Sequence, residues 1–216
     1  MLTSYFNITV IAEWCTLIAA IILLNKKTRI WQLFIPLLLL TVVTETIGWY
    51  QSYVLKKPNN SMPYNFLMII SIFFFAYLLL AVEPMQKIKK AGYIILIFFI
   101  GFSLVNLFFL QGLWLYNSYS ETIGDIILAT ISCYFLYTIL REEFFRGLFQ
   151  YEYFWLSTGL LFSSLGSVLL YIFLDSLQSY YTKTKINVYG YINYGVNVLL
   201  YTNLIIAFIC RRRNTK

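Results

Sequence analysis

Apolar runs of about 20 residues alternate with short polar segments along the whole chain. A helix rises about 1.5 Å per residue, so such a run spans the roughly 30 Å hydrocarbon core of a bilayer. The pattern predicts an all-α, polytopic membrane bundle of seven transmembrane helices that forms a single domain over residues 1–216. The predicted helices cover about 8–24, 31–54, 63–82, 91–110, 119–140, 153–174 and 189–210.

Two of the connecting segments are longer than a simple turn. Residues 141–152 form an amphipathic, charged connection, and residues 175–185 are polar and are expected to be partly structured. The composition agrees with a membrane protein, because 60% of the residues are hydrophobic and only 12% are charged. A soluble domain of 216 residues needs far more polar surface than this.

The basic residues lie unevenly between the two sides of the predicted bundle. Alternate connections assign 12 of the 16 Lys and Arg residues to one side and 4 to the other. Because cytoplasmic loops are enriched in basic residues, we predict the N-terminus outside and the C-terminus in the cytoplasm. The larger set is Lys26, Lys27, Arg29, Lys87, Lys89, Lys90, Arg141, Arg146, Arg211, Arg212, Arg213 and Lys216, and the smaller is Lys56, Lys57, Lys183 and Lys185.

The first run is expected to be a retained helix. A cleavable signal peptide carries its basic residues before the apolar stretch, whereas here Lys26 and Lys27 follow it. The net charge of +7 is explained by the basic clusters between runs, where a membrane surface attracts them, so no nucleic-acid partner is predicted.

Several kinds of chemistry are absent from the sequence. The chain has no His, and its 3 Cys residues lie inside apolar runs. The sequence also lacks a Gly-rich phosphate loop and a set of ligands with metal-binding spacing. We therefore predict no metal site, no cofactor and no disulfide framework.

Acidic side chains inside the apolar runs are the most informative feature. Glu45 lies about nine residues from the outer end of the second run. An acid at the centre of a membrane helix costs about 2.5–3.5 kcal/mol on insertion scales, so its side chain is expected to face a polar interior. The depth of Glu45 thus predicts a polar site inside the bundle.

The other buried polar residues fall at a similar depth. With the predicted topology, polar residues of four helices share a layer roughly 9–14 Å below the outer surface. The sequence places no Lys or Arg in this layer, and the main polar residues of the inner half are Ser163, Ser164, Ser167 and Asn203. The predicted ligand- or proton-binding residues are Glu45, Asp125, Asn197, Glu13, Glu121 and Asn193.

Two interpretations of this layer remain open. The residues could only hydrogen-bond across helices, each contact contributing about 0.6 kcal/mol to the stability of the bundle. Alternatively, they could line a cavity that opens outwards and binds a ligand or ions, as intramembrane acids commonly do. The first interpretation suits Asn193 and Asn197 better, and the second suits Glu45 and Asp125.

Several stretches carry a resemblance to a known family. They are Phe34-Ile35-Pro36 to Thr41 with Glu45 and Gly48, Tyr64-Asn65, Tyr153-Phe154-Trp155, and Asn197-Val198-Leu199-Leu200-Tyr201 to Ala207-Phe208-Ile209-Cys210. Over most of its length the chain resembles a family of seven-helix proteins of Gram-negative bacteria that has no assigned activity. The resemblance implies a bacterial inner-membrane protein without a soluble domain.

The plan is also similar to the seven-helix sensor modules that precede bacterial signalling domains. No kinase or cyclase domain follows Arg213, so we expect any output to need a separate membrane or cytoplasmic signalling partner, bound through the basic inner face.

Three function classes fit the sequence. The favoured one is a receptor-like sensor or accessory subunit with an outward-facing polar cavity. The alternatives are a small proton-coupled transporter and an intramembrane lipid-modifying enzyme that uses carboxylates. A transporter should also offer an inward polar path, and an enzyme needs a nucleophile or metal beside its acids. The sequence favours a role without catalysis.

Overall fold

The computed structural model describes residues 7–24, 29–56, 61–141 and 147–214. These residues form eight helices joined by short segments, and strands are absent from the described ranges. The helices are α1 (Ile8–Leu24), α2 (Phe34–Trp49), α3 (Ser61–Leu80), α4 (Lys89–Val105), α5 (Ser118–Arg141), α6 (Glu152–Ile172), α7 (Leu174–Thr184) and α8 (Val188–Asn214).

Short helical turns extend several of these helices. A turn at Arg29–Gln32 precedes α2, and π-helical turns at Tyr50–Val54 and Asn106–Leu110 follow α2 and α4. Single 3₁₀ turns occupy Glu83–Met85 and Leu148–Gln150 in two of the connections.

The protein is an all-helical, multi-pass membrane protein, as the sequence predicts. Within the described residues, six helical segments are long and apolar enough to cross a bilayer, and α1, with 17 residues, is a shorter apolar helix. The segment predicted as polar and partly structured contains a helix, α7, in which no residue is buried. The six segments are Arg29–Ser52, Ser61–Leu80, Lys89–Leu110, Ser118–Arg141, Glu152–Ile172 and Val188–Asn214.

Six helices form a closed ring. Around the ring, α1 packs on α2, α2 on α3, α3 on α5, α5 on α6, α6 on α8, and α8 again on α1. The remaining long helix, α4, lies outside this ring against α3 and α5. The short helix α7 contacts α6 and α8.

The composition of α4 explains its position outside the ring. It is the most apolar of the six long segments, and it carries no acidic residue. Its large side chains Ile97 and Phe98 are 69% and 74% exposed, as suits a helix that faces lipid. Beyond Lys89 and Lys90 in its first turn, α4 carries no charged side chain, so it gains little by facing a polar interior.

One end of the bundle carries most of the charge and is closed by aromatic rings. This basic end bears Arg29, Lys89, Arg141 and the arginines that end α8. At this end, the rings of Trp31, Phe34 and Phe208 are completely buried and pack together, with centroids of Phe34 and Phe208 5.1 Å apart. Such aromatic pairs contribute about 0.5–1.5 kcal/mol each beyond their buried area.

A buried ion pair joins α6 and α8 beside these rings. An Arg211 Nη1 donates to Glu152 Oε1 at 2.7 Å, and the Asn214 side-chain amide donates to Glu152 Oε2 at 2.7 Å. Glu152 is only 3% exposed, and the Arg211 guanidinium lies 5.6 Å from the centroid of the Trp31 ring. The basic end is therefore held by a satisfied carboxylate rather than by a solvated loop.

The opposite end is held by a buried amide. Asn65 of α3 is fully buried, and its Nδ2 donates to the carbonyls of Leu113 and Leu115 at 3.3 and 2.8 Å. Its Oδ1 accepts from the backbone N–H of Asn117 at 3.0 Å. These bonds fix the segment between α4 and α5 on top of α3.

Substitution of Glu152 tests the ion pair. We expect Glu152→Ala to lower the free energy of unfolding in detergent by about 3 kcal/mol, because it leaves the Arg211 charge without its carboxylate in a buried site. Thermal unfolding of the purified variant measures the effect. Asp175→Ala, which removes an exposed acid, is the matched control and should leave the midpoint unchanged. Equal midpoints for the two variants would contradict a stabilising pair.

Candidate functional site

The ring of helices encloses a cavity of about 600 Å³. Every helix of the ring contributes to its wall, and α4 contributes no lining residue within the described chain. All six residues that the sequence singles out line this one cavity. They are Glu13 of α1, Glu45 of α2, Glu121 and Asp125 of α5, and Asn193 and Asn197 of α8.

The cavity occupies the half of the bundle away from the basic end. It extends from Phe75 and Leu128 towards Ser61, Tyr116 and Tyr189, which lie near the opposite end. The aromatic residues of the basic end do not line it. The cavity is thus directed to one end of the protein.

Two carboxyl groups form one wall, where α1 meets α2. Glu13 Oε1 accepts a hydrogen bond from the Tyr201 hydroxyl at 3.2 Å, and Glu45 Oε2 accepts one from the Tyr64 hydroxyl at 3.1 Å. The two carboxyl groups are close enough to interact electrostatically. Glu13 is 3% exposed, and within the described residues its Oε2 has no hydrogen-bond partner.

A second pair of carboxyl groups lies on α5. Glu121 and Asp125 are four residues apart and therefore share one face of the helix. The hydroxyls of Tyr116 and Tyr171 lie beside the Glu121 carboxyl group, and the Ser164 hydroxyl lies beside that of Asp125. Asp125 is 9% exposed, and its Oδ2 has no hydrogen-bond partner in the described part of the chain.

The order of helices places these two pairs on opposite walls. In a ring of six, α5 stands across from α1, with α2 and α3 between them on one side and α6 and α8 on the other. Each pair shows its own internal electrostatic contact. Among the described residues, no three His, Cys, Asp or Glu side chains come together as metal ligands would.

The two asparagines on α8 interact with each other. The Asn197 amide donates to the carbonyl and to the Oδ1 of Asn193, one turn earlier, at 2.8 and 3.0 Å. They line the cavity, yet these hydrogen bonds stay within one helix and do not join helices. Hydrogen bonds between helices at the cavity acids come instead from the Tyr64 and Tyr201 hydroxyls.

The serines of α6 belong to this cavity as well. The sequence assigns Ser163, Ser164 and Ser167 to the inner half, whereas all three line the cavity beside the acids. Since α6 begins at Glu152, these serines lie beyond its midpoint, on the side away from the basic end. Asn203, also assigned to the inner half, is buried against Gly159 and donates to the Leu199 carbonyl at 2.8 Å.

The sequence pattern does not identify the tyrosines that donate to the acids as site residues. The chain has 19 Tyr, and most positions suit either a membrane interface or a core, so residue type alone does not distinguish them. Their spacing gives a partial signal, because Tyr201 lies one turn beyond Asn197 on the same face of α8.

The lining contains no basic residue in the described part of the chain. Its polar groups are carboxyls, hydroxyls and amides. Carboxylates only accept hydrogen bonds, whereas an ammonium only donates them. The cavity therefore suits protons or cationic and hydroxylated ligands better than anions.

Comparison with known proteins finds no match to a family model, a curated protein or a solved structure. The functional conclusion therefore depends on the cavity itself.

Gly48 allows the contact between Tyr64 and Glu45, and its substitution tests the wall. A Cβ at Gly48 would collide with the Tyr64 ring and hydroxyl. We expect Gly48→Ala to lower the free energy of unfolding by about 1–3 kcal/mol, because it forces Tyr64 away from α2. Gly101→Ala is the control, since a Cβ there meets nothing within 4 Å. Thermal unfolding in detergent compares the midpoints of the two variants. A midpoint of Gly48→Ala equal to that of the unsubstituted protein would contradict the close packing of Tyr64 against α2.

Proposed function

We propose that this protein is a receptor-like sensor or accessory subunit of a bacterial inner membrane, which binds a ligand or protons in its polar cavity. The observation that carries this proposal is a cavity with four carboxyl groups and no basic lining residue in the described chain. Acids inside a membrane protein are costly to bury, so they are retained where they serve binding or proton transfer.

The proposed orientation has seven spans and an outward-facing cavity. In this proposal α1 is the first span, and the basic end lies in the cytoplasm. Of the described basic residues, eight lie at the basic end and three, Lys56, Lys183 and Lys185, at the opposite end. The positive-inside rule supports this orientation. The 17 residues of α1 are near the lower limit for a span, which local bilayer thinning can accommodate.

The closed basic end favours binding over transport. A carrier alternates access to its site from both sides, whereas Trp31, Phe34 and Phe208 fill the space between the cavity and the basic end. An enzyme is also disfavoured, because none of the three cysteines lines the cavity and the chain has no His to activate a serine.

A sensor needs a connection from its ligand to its output. In this proposal α8 provides it, since the helix carries Asn193, Asn197 and Tyr201 at the cavity and Arg211 at the basic end. The exposed side chains of Arg212 and Arg213 suit an acidic cytoplasmic or membrane signalling partner.

Reporter fusions test the orientation. We expect alkaline phosphatase fused after Lys216 to be inactive and a fluorescent protein fused there to fluoresce, because the proposal places this end in the cytoplasm. A fusion at the N-terminus should give the reverse result. Active phosphatase at the C-terminus would overturn the orientation.

Cysteine labelling tests the access to the cavity. In a variant without the native Cys15, Cys133 and Cys210, we expect Ser167→Cys to react with a membrane-impermeant thiol reagent added to intact spheroplasts, because Ser167 lines the cavity. Thr202→Cys, on the exposed surface of α8, is the control and should stay unreactive in lipid. Reaction of Ser167→Cys only in everted vesicles would contradict an outward-facing cavity.

A further inference from the structure

We propose that the cavity binds an aliphatic diamine, with one ammonium group at each pair of acids. This inference rests on the proposed binding function and names the chemical class of the ligand. It depends on three features of the cavity: two acidic walls, buried carboxyl oxygens without partners, and an apolar surface between the walls.

The two walls each offer a separate site for a positive charge. Glu13 and Glu45 lie on α1 and α2, while Glu121 and Asp125 lie across the ring on α5. Neighbouring helices pack about 9 Å apart, so opposite axes of a six-helix ring are about 18 Å apart. Side chains fill about 5–6 Å from each axis, which leaves a gap that a short methylene chain can bridge.

Each wall also has a buried carboxyl oxygen that no described residue satisfies. These atoms are Glu13 Oε2 on one wall and Asp125 Oδ2 on the other, in side chains that are 3% and 9% exposed. Both residues line the cavity. An ammonium group has three donors, so it can bond such an oxygen and a neighbouring carboxylate or hydroxyl together.

Apolar side chains lie between the two walls. Met68 and Ile72 of α3 and Leu160 of α6 line the cavity, on helices that stand between α5 and the α1–α2 wall in the ring. These side chains would contact the methylene groups of a diamine, and each buried methylene contributes about 0.8 kcal/mol in transfer free energy. A ligand without apolar groups would make no favourable contact with this apolar surface.

Other ligand classes fit less well. An anion would find no Lys or Arg in the described lining, and a metal ion would find no group of three ligands among the described residues. A monoamine would neutralise one wall and leave the other pair of acids without a cation. The arrangement therefore favours a molecule with a positive charge at both ends.

Binding of a matched series of compounds tests the inference. The probes are 1,4-diaminobutane, with 1,3-diaminopropane and 1,6-diaminohexane to vary length, 1-aminobutane as the monoamine, and 1,4-butanediol as the neutral control. Isothermal titration calorimetry on the purified full chain in detergent gives each Kd. We expect at least one diamine to bind about tenfold or more tightly than 1-aminobutane, because the second ammonium binds intramolecularly. We expect no binding of the diol.

Variants of each wall separate the two contacts. Glu13→Gln on the first wall and Asp125→Asn on the second should each reduce diamine affinity to about that of the monoamine. The double variant should abolish binding of both compounds. If Glu13→Gln does not fold, Glu45→Gln tests the same wall. Asp175→Asn, which changes an exposed acid of α7, should leave every Kd unchanged.

The possible failures are distinguishable. Equal affinities for monoamine and diamines, both lost in Glu13→Gln, would overturn the diamine inference and leave a cation-binding cavity. No binding of any amine, with Ser167→Cys still labelled from outside, would overturn the diamine inference. The proposal of a cavity accessible from outside would then still stand. No binding together with an unlabelled Ser167→Cys would overturn both the inference and the proposed function.

Discussion

Four carboxyl groups that cannot face hydrocarbon determine how the helices are arranged. Glu13, Glu45, Glu121 and Asp125 lie on three helices, and a polar interior that receives all of them requires these helices to surround a common space. Partner hydroxyls from α3, α6 and α8 complete the ring. The most apolar of the long helices, α4, packs against the outside of the ring.

The two ends of the ring are stabilised by different interactions. At the basic end, buried aromatic rings and the Glu152–Arg211 pair close the space between helices. At the opposite end, the Asn65 amide satisfies three backbone groups of a connecting segment, and polar side chains continue into the cavity. A buried aromatic end below a cavity lined by acids is consistent with the proposed binding from one side.

The sequence predicts the helical, multi-pass class because hydrophobic runs of this length have few alternatives. It also groups the polar residues that meet in the cavity, since the depth of Glu45 and Asp125 follows from counting residues along each run. It does not reveal that Arg211 pairs with Glu152, because the two residues are 59 positions apart and each is plausible in a solvated loop. Nor does it place α4 outside the ring, since large apolar side chains occur on every side of this helix and identify no inward face.

The contact between α8 and α1 has a consequence for assembly. Glu13 belongs to α1, and the hydroxyl that donates to it belongs to Tyr201 of α8, 188 residues later. Until α8 packs into place, the ring has a gap between α1 and α6, and the Glu13 carboxyl group of α1 lies beside that gap. Closure of the ring therefore depends on α8, and without this helix the Glu13 carboxyl group lacks its Tyr201 donor.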